Sequence, residues 1–135
     1  MIGLYLNTKD KLKELTALRY IDMEGGEEPK IFPAAFINFH PINHEQLHQG
    51  GTQADITFDI RLQFTPYLRS EGNTPVAQLD KLADSMQLIE EVKTKLINED
   101  IPGISSIYII REHIQKKGAS YEAPLTFKGR IEWNP

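Results

Sequence analysis

The clearest pattern in the chain runs from Ala54 to Phe64. Ala54, Ile56, Phe58, Ile60, Leu62 and Phe64 alternate with Asp55, Thr57, Asp59, Arg61 and Gln63. A strict two-residue period predicts a strand with one buried and one wet face. Ile31 to Phe39 (IFPAAFINF) is nearly all apolar, which predicts a strand covered on both faces near the centre of a sheet. Pro33 cannot donate to a ladder, so pairing starts after it. Ile104 to Ile114 predicts another strand, centred on Ile107, Tyr108, Ile109 and Ile110. The last strand sets Leu125, Phe127, Ile131 and Trp133 against Thr126, Lys128, Arg130 and Glu132. Gly129 falls on its apolar face, which marks a bulge or a close packing contact.

Helical spacing occurs twice. Leu12 and Leu15, extended backwards by Ile2, Tyr5 and Leu6, predict a helix over roughly residues 2–17, followed by a short strand at residues 19–23. Thr74 suits an N-cap and Pro75 the first helical position. From there Leu79, Leu82, Ala83, Met86, Ile89, Val92 and Leu96 form an apolar stripe that ends near Asn98, before Pro102 and Gly103. Gly25-Gly26, residues 41–51, residues 65–74 and Lys117-Gly118 read as turns and loops. The order is α-β-β-β-α-β-β in a single α+β domain spanning residues 1–135. Short connections between the first strands predict a mostly antiparallel sheet of about five strands, its apolar face covered by the two helices.

With 135 residues, 40% hydrophobic and 25% charged, the chain can support one core without staples. It has no cysteine, so no disulfide and no thiol nucleophile. The N-terminus lacks the pattern of a secretory signal, and no segment is apolar enough to span a membrane. A soluble, cytoplasmic protein is expected. A net charge of −4, with Lys116, Lys117, Lys128 and Arg130 interspersed by Glu112, Glu122 and Glu132, gives no footprint for a phosphate backbone, so nucleic-acid binding is not expected.

One motif carries possible chemistry. His44-Glu45-Gln46-Leu47-His48 matches H-E-x-x-H, which on a helix places two imidazoles on a zinc ion and a general base beside its water. His40 extends the four-residue spacing. The segment lies between two predicted strands, with Pro41 before it and Gly50-Gly51 after it, and leaves room for one or two turns at most. An exposed loop is the expected reading, and a small zinc hydrolase the alternative. Otherwise no metal site or cofactor is expected. Serines lack a nucleophile elbow, and glycines follow no phosphate-binding pattern. Asp55 and Asp59 stand about 13 Å apart along one strand, too far to share a proton. Tyr20, Tyr67, Tyr108 and Trp133 are candidate interface anchors, with core or rim packing expected of Tyr108 and Trp133. The wet face formed by Gln53, Asp55, Thr57, Asp59, Arg61 and Gln63 is the candidate interface, because such a strand can line a channel or pair with a neighbour.

Several local patterns resemble the tail-terminator and tail-completion proteins of long-tailed bacteriophages. Leu15 to Met23 (LTALRYIDM) resembles that family's helix running into a short strand. Phe32 to Phe39 (FPAAFINF) resembles its central strand, and Gly50 to Phe64 (GGTQADITFDIRLQF) its long alternating strand. The second helix and the strand from Leu125 to Trp133 complete the order. The resemblance implies a structural protein without catalytic residues. It implies a ring, usually of six copies, that caps the tail tube, stops its growth and joins it to the head. Its partners would be itself, the tail-tube protein and the head connector, in the bacterial cytoplasm and in the virion. The resemblance also places His44 to His48 in a variable loop. A small intracellular binding module is the third reading.

Overall fold

The computed structural model describes residues 2–26, 31–41, 53–64, 75–117 and 120–132. Two helices and six strands follow one another as α1 (Ile2–Lys13), β1 (Tyr20–Met23), β2 (Ala34–Phe39), β3 (Gln53–Gln63), α2 (Pro75–Glu99), β4 (Ile104–Glu112), β5 (Gln115–Lys117) and β6 (Ser120–Glu132). The α+β class and the main order match the hydrophobic pattern. The three-residue β5 was expected to be turn. It pairs antiparallel with the start of β6, which begins five residues earlier than its apolar alternation suggests. α1 stops at Lys13 instead of residue 17. The amides of Glu14 and Leu15 donate tighter three-residue bonds to the carbonyls of Lys11 and Leu12.

The strands lie in the order β1-β2-β3-β6-β4, with β5 also beside β6. All pairings are antiparallel except β1 with β2, which is parallel. Connection length alone misjudges this pair. β1 has four residues and spans only about 13 Å. The length of residues 24–33 is enough to span that distance back to the start of a parallel partner. The turn begins at Gly25, whose φ of 89° suits a residue without Cβ. The amide of Glu24 then donates to the carbonyl of Ile37 at 2.9 Å, continuing the parallel ladder.

One face of the sheet carries the main core. Every even residue of β3 from Ala54 to Leu62, followed by Phe64, is buried. They join Ala35 and Ile37 of β2, Ile104 and Ile107 of β4, and Ala123, Leu125, Phe127 and Ile131 of β6. Tyr5 and Leu12 of α1 and Leu88, Ile89, Val92 and Leu96 of α2 complete the cluster. The α2 stripe follows its sequence reading at Ile89, Val92 and Leu96 and departs from it nearer the N-terminus. Leu88 is buried, whereas Ala83 and Met86 face outward, and the side chains of Leu79 and Leu82 lie outside the described residues. Leu88 widens the inward row next to Ile89, and spacing alone does not mark which neighbouring apolar positions are enclosed. The corresponding correction on α1 is that Ile2 and Leu6 are exposed and Tyr5, Thr8 and Leu12 form the inner face. Thr8 satisfies its buried hydroxyl by donating to the carbonyl of Leu4 at 2.7 Å.

Gly129 resolves into a close packing contact opposite a bulge. Ser105 pairs with Arg130 and Tyr108 with Lys128, so Ser106 and Ile107 together face Gly129. Ser106 takes a φ of 55° to make the bulge. A Cβ at position 129 would come within 2.5 Å of Ile104 Cγ2 and 3.3 Å of the Ser105 carbonyl. Gly129→Ala is therefore expected to cost about 1–3 kcal/mol through overpacking, read as a lower urea midpoint. An unchanged midpoint would show that β4 can move aside.

Tyr5 is buried beneath β1. Burial first, then the nearby Asp22 carboxylate, raises its phenol above the ordinary value of 10.0. The unfolded chain therefore loses this proton at lower pH than the folded one. The stability that Tyr5 contributes is intact below pH 10 and is lost as pH rises through the raised folded value. Tyr5→Phe should make the alkaline fall in stability shallower, measured by urea unfolding from neutral pH to above pH 10. An identical pH profile in the variant would remove Tyr5 from the account.

Candidate functional site: the polar face of the sheet

The face opposite the helices is built on the odd residues of β3. β3 is central, with β2 on one side and β6 on the other, so its backbone is fully paired and edge-to-edge association through it is closed. Only its side chains can meet a partner. Asp55 is exposed, with Lys128 of β6 at 3.8 Å, and Thr57 is half-buried. Gln63 is half-buried between Ala34 and Glu122. Gln53 begins the strand opposite Glu132, and its side chain lies outside the described residues.

Asp59 and Arg61 are engaged within the fold. The hydroxyl of Thr126, directly across on β6, donates to Asp59 Oδ1 at 2.7 Å, and His40 Nε2 lies 2.7 Å from Asp59 Oδ2. His40 reaches this place because its amide continues the β2–β3 ladder, donating to the carbonyl of Thr57. The pair is ionic whenever the imidazole is protonated. Arg61 stacks its guanidinium over the Phe36 ring at 4.5 Å. Its Nε and Nη2 donate to the two carboxylate oxygens of Glu24 at 3.1 and 2.8 Å, and Nη1 donates to Glu122 at 3.1 Å. Glu122, whose side chain is 6% exposed, also accepts from Gln115 at 2.8 Å. The Glu24 hydrogen bond is the largest influence on Arg61 and, against the cost of burial, raises its pKa further. This arrangement explains how β2 is covered on both sides. Phe36 lies under Arg61 and beside Tyr20, with ring centroids 6.2 Å apart.

Spacing could name Asp59 and Arg61 as face residues but could not name their partners. Glu24, Glu122, Thr126 and His40 are brought in by strand register, across separations of 19 to 67 residues. A carboxylate at Glu122 within an otherwise apolar strand start was the one available signal.

The zinc motif at His44, Glu45 and His48 lies outside the described residues, as do Tyr67 and Trp133. His40, the upstream member of the four-residue series, is turned to Asp59. His113 stands exposed after β4. Among the described residues no group of three or more His, Asp and Glu side chains is arranged to hold a metal ion. Nor is any described helix long and apolar enough to cross a membrane.

A second surface emerges that periodicity misassigned. Tyr108, expected to pack in the core or its rim, is 50% exposed, and Ile110 is equally open at 51%. The cause is the sheet order: β4 is the outer strand, and register shifts at Ser105/Tyr108 and Ile109/Arg111 turn successive apolar residues to different sides. Ile114 and Met86 also face solvent, along a groove between α2 and the end of β4. The chain matches no protein-family model and no curated protein.

Proposed function

We propose that this chain is a structural assembly protein of a phage or prophage tail, which forms a ring, with six copies on the family resemblance, that caps the tail tube and joins it to the head. The observation that carries the reading is the set of large apolar side chains left open on the outer strand. Tyr108 and Ile110 of β4 stand exposed, and Ile114, just after the strand, is open as well. Natural proteins protect edge strands with charge or proline, and an apolar edge left open is a place where another chain docks. The polar face supports the same reading. Asp59 and Arg61 hold partners within the fold, in networks with His40, Thr126 and Glu122.

Native mass spectrometry together with incubation on purified tail tubes tests this. The expected result is a metal-free oligomer that sediments with tubes and sits at one end of them in electron micrographs. Protein that never associates with tubes would overturn the reading. A monomer carrying one zinc would turn attention to His44, Glu45 and His48.

A further inference from the structure

Two patches of exposed apolar side chains lie on different elements, one on α1 and one between α2 and the end of β4. α1 packs on β1 and β2, and α2 packs on β4, which lie at opposite ends of the sheet order. On α1, the inner face is Tyr5, Thr8 and Leu12, and Lys11 points toward α2, where it meets Glu99 at 3.3 Å. At 100° per residue, Ile2, Leu6, Lys9 and Lys13 form a single stripe on the side away from Lys11, with the Lys9 ammonium 6.0 Å over the Tyr5 ring. The first half of the stripe is apolar and open, with Ile2 67% and Leu6 50% exposed, and its second half is basic.

The second patch lies in a groove of about 340 Å³ between α2 and the end of β4. Met86, Ile89, Ile114 and Leu125 line it, and Glu90 and Glu112 stand at its rim. Lys93 bonds both carboxylates, at 2.9 and 2.8 Å, and leaves that rim one net negative charge.

We infer that these patches are the two halves of one head-to-tail interface: the Ile2/Leu6 stripe of α1 in one copy of this chain seats in the α2–β4 groove of the next. The occupant is a second copy because the chain itself carries the complement. An apolar pair followed by two lysines matches an apolar groove with an acidic rim. A two-fold dimer would use each patch against itself and set lysines against lysines. A head-to-tail contact uses both patches, leaves one of each unsatisfied at every end, and closes only as a ring. The inference deepens the assembly reading proposed above and supplies the contact it requires.

Two exposed substitutions test it, Leu6→Asp on the helix stripe and Met86→Asp in the groove, each followed by sedimentation equilibrium with a melting curve as a folding control. The wild type should assemble. Each variant alone should be monomeric, because a carboxylate forced into an apolar contact weakens association by at least ~100-fold. Mixed in equal amounts, the two variants should give a dimer and nothing larger, since the groove of the Leu6→Asp copy is intact and so is the helix of the Met86→Asp copy. A wild type that stays monomeric at every soluble concentration, variants that assemble undiminished, or a mixture that remains monomeric would each overturn the interface. Ile114→Asp repeats the groove arm if Met86→Asp fails to fold. The outcome is separable from the tail reading. Rings with this mixing behaviour that ignore tail tubes would sink the tail reading alone, and tube binding that persists in monomeric wild type would sink the interface alone.

Discussion

Phe58→Ala should remove a large part of the protein's stability. Phe58 is fully buried at the middle of β3, where the register aligns Phe39 of β2, Phe58, Phe127 of β6 and Ile109 of β4 in one cross-strand row. Its ring centroid lies 5.4 Å from Phe39 and 5.5 Å from Phe127, the latter stacked at 18°. Truncation loses the transfer energy of the ring, both aromatic contacts, and the dispersion around a cavity that three fully paired strands cannot close. The expected cost is about 3–5 kcal/mol, against a total of roughly 5–15 kcal/mol for a domain of this size. The melting temperature should fall by about 10–15 °C. Phe58→Leu, which keeps most of the volume, should cost about 1–1.5 kcal/mol. A loss below about 1 kcal/mol for the alanine variant would mean that the row repacks, contrary to the rigidity argued here.

The second large effect is expected at Arg61, from charge and not volume. Arg61→Met keeps a flexible apolar stem over Phe36 but withdraws the cation from Glu24 and Glu122. Glu24 is well exposed and can turn to water. Glu122 cannot, because its side chain is almost wholly enclosed and would keep only Gln115. Breaking a fully buried ion pair costs about 3–5 kcal/mol. Arg61 is itself a quarter exposed, so solvent screening lowers the expectation to about 2–3 kcal/mol. Arg61→Met combined with Glu122→Gln should recover most of the loss, since the buried charge is then removed as well. Urea unfolding of the two single variants and the double variant measures this coupling. Additive losses would show that Arg61 and Glu122 act independently.

The contrast between these residues shows how far spacing carries a reading. Phe58 was legible as a core residue because the alternation from Ala54 to Phe64 has one solution: a strand with that period buries one face entirely. Arg61 was legible only as the opposite face. That it clamps Glu122 and roofs Phe36 depends on which strands flank β3 and in what register, and neither neighbour is close in sequence. The candidate interface suffered in the same way. Asp59 and Arg61 looked available because their partners could not be seen, whereas Tyr108 looked enclosed because an apolar run reads alike whether its strand is central or at an edge.

Local chemistry alone determined the element types, the start of α2 at Pro75, the start of β2 after Pro33, and the buried row of β3. These follow from the fixed periods of helix and strand and from proline's missing N–H, which act within a few residues. Tertiary structure decided the parallel β1–β2 pair, the exposed edge of β4 and the clamp at Arg61. Each of these depends on which segment lies beside which, a matter settled by burial and pairing summed over the whole sheet.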